Sequence, residues 1–175
     1  GASIISRHTL KELQQRAKNQ PIIELCEVLD VYFGTILLNI ELKGRGTGKV
    51  VSRLLKNKYI KRPKDWDNLL FSSFRGGELA AVRAVSQQAN LALLHSENPF
   101  IFIAYHRRLR LAAVGFHRLY LNPFALEIAK RTKLFVYAYT INRPQSALML
   151  AQQDIDGIVT DRPDLILREI KKHKD

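Results

Sequence analysis

The stretch Asn39–Val50, NIELKGRGTGKV, sets two kinds of chemistry side by side. In its left half, strand geometry alternates the faces, so Asn39, Glu41 and Lys43 point one way and Leu38, Ile40 and Leu42 the other. The apolar set packs against helices. The polar set faces a barrel interior or crevice at the strand's C-terminal end, where parallel α/β folds hold their ligands. A Glu and a Lys two residues apart there form either a metal ligand plus a phosphate-binding cation or a plain ion pair.

The right half looks like a glycine loop for phosphate, but its spacing argues otherwise. A P-loop needs GxxxxGK followed by Ser or Thr, because loop length sets how many N–H groups face the phosphates and the hydroxyl meets magnesium. Gly44–Lys49 is one residue short, and Val50 stands where the hydroxyl belongs. The glycines also miss the dinucleotide fingerprint's third position. The loop reads as a mobile segment or a helix entry.

These residues must be positioned by something. From about residue 36 onward, short apolar runs alternate with amphipathic stretches, the pattern of βα units on a parallel sheet. The strands are expected at Ile36–Lys43, Leu69–Phe74, Leu91–His95, Phe116–Asn122, Leu134–Asn142 and Gly157–Asp161. Helices are expected near 47–60, 76–89, 99–113, 123–131, 143–152 and 163–173. Ahead of them, Thr9 and Glu12 read as a capping box, and Glu24–Val31 as a short amphipathic helix. Asn122, Asn142 and Asp161 each precede a proline closely enough to read as helix caps. Six such units fit either an open doubly wound sheet or part of an eight-stranded barrel.

Composition bounds the rest. The 175 residues are 46% hydrophobic, enough for one core and a single domain, 1–175. No apolar run approaches the roughly 20 residues of a membrane span. The single cysteine, Cys26, permits no internal disulfide and fits a reducing, cytoplasmic setting. The net charge of +12 raises the question of a polyanionic partner. The basic clusters at 56–64, 106–110 and 171–174 fall on or beside helices, however, and read as solvated faces; no nucleic acid is expected. His95 and His117 read as structural or exposed, and His106 and His173 as members of basic clusters. Asp156 reads as a turn or strand-edge residue.

Several segments resemble one family in order and spacing. PIIELCEVLDVY with ILLNIELK, LLFSSF, LFVYAYTIN and DIDGIVTDRPDLI are similar to conserved stretches of the glycerophosphodiester phosphodiesterase family, across about residues 9 to 168. That resemblance implies an incomplete (β/α)8 TIM barrel of the PLC-like phosphodiesterase type, with about six βα units, N-terminally truncated. It implies hydrolysis of a glycerophosphodiester to sn-glycerol 3-phosphate and an alcohol, with Ca2+ or Mg2+ polarising the phosphoryl group in the intact enzyme. By the same resemblance Glu41 is a metal ligand, Lys43 an active-site cation, and Tyr139 stands where the family has Trp at the pocket rim. Asn142 ends the adjoining strand, either capping a helix or binding substrate. Asp154 replaces a family glycine.

The family's HRG, ExD and HD motifs, with the two general acid/base histidines, find no match in the sequence. Hence the chain alone is expected to bind metal poorly and hydrolyse little. The alternatives are a non-catalytic module for a phosphate ligand or lipid headgroup, and a basic nucleic-acid-binding domain. Peripheral membrane contact and self-association through open strand edges are further expectations.

Overall fold

The computed structural model describes residues 5, 8–17, 21–95, 101–119, 121, 123–153 and 155–172. The readings placed on Asn122, Asp154, His173 and the His95 side chain lie outside this description. In chain order the elements are α1 (Leu10–Arg16), α2 (Leu25–Tyr32), β1 (Leu38–Glu41), α3 (Thr47–Lys58) and a 3-10 turn (Pro63–Asn68). There follow β2 (Leu69–Ser73), α4 (Gly76–Val85), β3 (Asn90–His95), α5 (Ile101–Leu109) and β4 (Ala113–His117). The last are α6 (Pro123–Arg131), β5 (Phe135–Tyr139), α7 (Pro144–Ala151), β6 (Gly157–Ile158) and α8 (Pro163–Lys172).

All six strands are parallel and neighbour one another in sequence order, β1 to β6. A doubly wound sheet reverses its order at a switch point, and none occurs here. Without a reversal, right-handed crossovers put every helix on one face. The packing agrees: Leu69, Phe71, Leu91, Leu93, Val114 and Val136 of the strands share a core with Leu55, Leu79, Val82, Phe102 and Ala129 of α3 to α6. Each such fully buried large side chain is worth about 1.5–3 kcal/mol. The opposite sheet face carries only a small cluster of Ala92, Leu94, Ala113 and Tyr137, with no helix residue in it. The arrangement is therefore an arc of barrel, with helices outside and a concave face within.

The α1 start follows the sequence: the Thr9 hydroxyl accepts from the Glu12 N–H at 3.3 Å while Glu12 accepts from the Thr9 N–H at 2.7 Å. The fourth strand departs from expectation, beginning at Ala113 rather than Phe116. Arg110, at φ 49, ends α5 early and leaves Ala113–Phe116, buried on both faces, to form the strand. A strand covered on both faces loses the alternation that would mark it. Lys133, at φ 56, ends α6 ahead of β5 in the same way.

Two expected caps are corrected. Arg143, not Asn142, is the N-cap of α7, and it makes no side-chain cap bond. The Asp161 carboxylate accepts from the Asn142 side chain at 2.8 Å instead of capping α8. Asp156 lies at the strand edge as expected, its carboxylate accepting from the Val136 N–H at 2.7 Å. No helix among the described residues is long and apolar enough to cross a membrane.

Candidate active site

Strand register builds the concave face. Glu41 pairs with Ser72, Ser72 with Ala92 and Ala92 with Ala113; Gly115 pairs with Tyr137 and His117 with Tyr139. Because side chains at paired positions of neighbouring strands share a face, Glu41, Ser72, His117, Tyr137 and Tyr139 all belong to the concave side. Gly115 is required there: a Cβ on it would come within 2.7 Å of the Tyr137 ring and 2.8 Å of Leu94.

At the C-terminal mouth, the Lys43 Nζ lies 3.3 Å from the Glu41 Oε2. Tyr139 meets the ring of His117 edge-on with centroids 5.8 Å apart, and that of Phe74 at 6.1 Å. Burial, and then the Glu41 charge, push the Tyr139 hydroxyl up to about 12. Tyr137 is raised further, first by burial and with a smaller contribution from Glu41. The carboxylate on β1 thus acts across the mouth on two tyrosines of β5. Below them, the hydroxyls of Ser72 and Tyr137 are buried without a well-formed hydrogen bond.

Glu41, Lys43 and Tyr139 accordingly converge on one mouth. Asn142 sits beside it with its amide committed: its oxygen accepts from the Thr160 hydroxyl at 3.1 Å and the Asp161 N–H at 2.9 Å, and its nitrogen donates to Asp161 at 2.8 Å. It ties the loop after β5 to the loop after β6. Sequence reasoning passed over His117 because the strand was placed three residues late. The signal was the apolar run Ala112–Phe116, whose end puts His117 last in its strand, level with Tyr139.

The glycine loop does hold an anion, but one belonging to the chain itself. The Glu78 carboxylate, from α4, accepts from the Gly46 N–H at 2.8 Å and the Gly48 N–H at 2.7 Å, where α3 begins. Gly46 has φ 80, and a Cβ on Gly48 would come within 2.3 Å of the Glu78 carbonyl oxygen. The loop's exposed N–H groups and the helix's positive end are spent on packing α3 to α4.

A hard divalent cation needs several oxygen ligands. Glu41 is one carboxylate and is paired with Lys43, and no group of three or more His, Cys, Asp or Glu among the described residues is placed to hold a metal. These side chains alone do not fit such an ion.

The chain matches the model of the glycerophosphoryl diester phosphodiesterase family over residues 1–165. It is 26% identical over 141 residues to a glycerophosphodiester phosphodiesterase of Caldanaerobacter subterraneus subsp. tengcongensis, a match covering 78% of this chain and 56% of that protein. The chain therefore spans little more than half the length of that relative. An Oleispira antarctica phosphodiesterase, solved in complex with the product sn-glycerol-3-phosphate, superposes with TM-score 0.81 at 26% identity, over 98% of this chain and 74% of that one. The Thermotoga maritima glycerophosphodiester phosphodiesterase shares the fold, with TM-score 0.70 at 22% identity over 91% of this chain and 69% of that one. The match over residues 1–165, borne by a consecutive parallel arc of strands, places this protein in the glycerophosphoryl diester phosphodiesterase family.

Proposed function

We propose that the chain forms the glycerol- and phosphate-binding wall of a glycerophosphodiester phosphodiesterase, which hydrolyses glycerophosphodiesters to sn-glycerol 3-phosphate and an alcohol. The observation that carries this reading is the convergence of Glu41, Lys43 and Tyr139 on one mouth in a member of the family. The Oleispira relative's bound product supports the same substrate class.

Each side chain has a physical task. Lys43, 78% exposed, swings its ammonium from Glu41 to a phosphate oxygen, at small cost because a surface ion pair is worth at most about 1 kcal/mol. Tyr139, held by Phe74 and His117, offers a ring edge and a protonated hydroxyl to the glycerol. Glu41 holds the cation in place before ligand arrives and takes the metal-ligand role in the family scheme. The other carboxylates and the acid/base histidines of that scheme have no counterpart in the sequence, so no metal-dependent step is assigned to these residues. They bind the product, and hydrolysis by these residues alone stays near background. β1 and β6 are the ends of the sheet among the described residues, which supports self-association through those edges.

The test pairs calorimetric titration of sn-glycerol 3-phosphate with glycerol 3-phosphate release from glycerophosphocholine in added Ca2+ or Mg2+. Saturable binding, weakened at least tenfold in Lys43→Ala, with near-background release, is expected. No binding at millimolar ligand removes the reading. Brisk metal-dependent release abolished in Glu41→Gln would keep the substrate class and overturn the claim of near-background hydrolysis.

A further inference from the structure

Beside the mouth, a cleft of about 300 Å3 opens between the loops that follow β4 and β5, lined in part by Arg118, Thr140, Asn142, Arg143 and Ser146. Its described lining has two guanidinium groups and no carboxylate. Of the described arginines, Arg62, Arg131 and Arg162 lie within 4.0 Å of an acidic side chain, while others such as Arg45, Arg53 and Arg107 stand on the surface without one among the described residues. Arg118 and Arg143 have no such partner among the described residues.

Both arginines are anchored by their backbones. The Arg118 N–H donates to the Tyr139 carbonyl at 2.9 Å, which fixes its start one residue beyond the ring pair of His117 and Tyr139. Arg143 is the N-cap of α7, with Pro144 in the first helical turn. The Asn142 amide, tied to Thr160 and Asp161, makes one side of the cleft, with its oxygen fully engaged and one N–H of its nitrogen still available. Asp161 itself does not line it. Two cations in one concavity repel each other until an anion enters, and a guanidinium fork fits phosphate oxygens two at a time.

Lys43 follows β1, whereas the cleft lies beyond β4 and β5. Lys43 is not among the residues that line the cleft, so an anion held there meets Arg118 and Arg143 rather than Lys43.

We infer that the cleft is a second anion subsite, which takes a phosphate carried on the alcohol half of a glycerophosphodiester. This inference rests on the reading of the mouth given above. A substrate with a choline or other cationic alcohol would leave both guanidiniums unpaired. One whose alcohol bears a phosphate monoester bridges the mouth, with its diester at Lys43 and its monoester at Arg118 and Arg143.

The test uses the full chain and two-dimensional amide NMR, with inorganic phosphate, sn-glycerol 3-phosphate, glycerophosphocholine and glycerophosphoinositol 4-phosphate as probes. Inorganic phosphate is expected to shift the amides of Thr140, Arg143 and Ser146. Glycerophosphoinositol 4-phosphate is expected to bind at least tenfold more tightly than glycerophosphocholine. The double variant Arg118→Gln with Arg143→Gln, with unchanged amide dispersion elsewhere, should erase that preference and leave sn-glycerol 3-phosphate binding within twofold. Still amides at 140–146, or a preference that survives the double variant, would overturn the subsite. A failure of Lys43→Ala to weaken sn-glycerol 3-phosphate, with the phosphate shifts at 140–146 intact, would sink the reading of the mouth and support an anion site here by itself. Cosedimentation with phosphatidylserine vesicles that the double variant abolishes, without response to soluble phosphates, would assign the cleft to a bilayer and overturn the diester assignment.

Discussion

The Glu41 carboxylate, leaving β1, raises the pKa of the Tyr139 hydroxyl on β5, four strands away in the sheet order. Along a flat sheet that separation would be about 19 Å, and screening would erase the effect over such a distance. The consecutive strand order, with helices packed on one side only, curves the sheet and brings the first and fifth strands toward one mouth, in keeping with the charge on one acting on a half-buried ring of the other.

Glu41→Gln removes that charge. The Tyr139 hydroxyl should then titrate below its present value of about 12, yet still above the ordinary 10.0, because burial is the larger cause and is untouched. Titration of labelled tyrosine ring carbons measures this. An unchanged Tyr139 would mean that the carboxylate lies outside the mouth.

Glu78→Gln should destabilise the chain by about 1.5–3 kcal/mol. The buried carboxylate takes two N–H bonds, and bonds to a charged acceptor have about that worth. An amide keeps one acceptor and turns a donor toward an N–H. Gly48→Ala should cost about 1–3 kcal/mol by forcing α3 from α4. Urea midpoints with unchanged slope check both.

Arg83 is buried and its guanidinium donates to the carbonyls of Ser86, Gln87, Leu109 and Arg110, closing the ends of α4 and α5 together. Burial, and then Arg110, lower its pKa. Arg83→Met keeps the stem and orphans these acceptors, so a loss of about 2–3 kcal/mol is expected. Hydrogen exchange should quicken first at the C-terminal turns of α4 and α5.

Asp65 accepts from the backbone N–H groups of Lys61 at 2.9 Å and Arg62 at 2.8 Å, and these bonds, Arg62's first, hold its pKa below the usual 3.8. A depressed folded pKa gives stability that is present above the unfolded value and lost as pH falls through the folded one. Acid unfolding below about pH 4 should therefore be shallower in Asp65→Asn, which lacks the titration. A denaturant midpoint series from pH 5 to pH 2 shows it.

Local features were the legible ones. The Thr9 box needs three residues and formed as expected, and the six βα units came close to their expected places. The Asn142 and Asp161 caps misled because the two side chains satisfy each other across 19 residues, which removes both from their helices. The strand containing His117 was misplaced because Ala113–Phe116 is buried on both faces and has no period to follow.

Residue order by itself determined which face of β1 is polar, since alternation along a strand is fixed by the backbone, and so it put Glu41 opposite Leu38 and Leu42. It also excluded a P-loop by spacing. Only the tertiary structure decided what those groups meet. Strand order cannot be read from alternating elements, and only an unreversed order curls into an arc that brings β1 and β5 to one mouth. The partner of the glycine loop was equally hidden: Glu78 lies 30 residues beyond Gly48, and helix packing alone brings its carboxylate to those N–H groups.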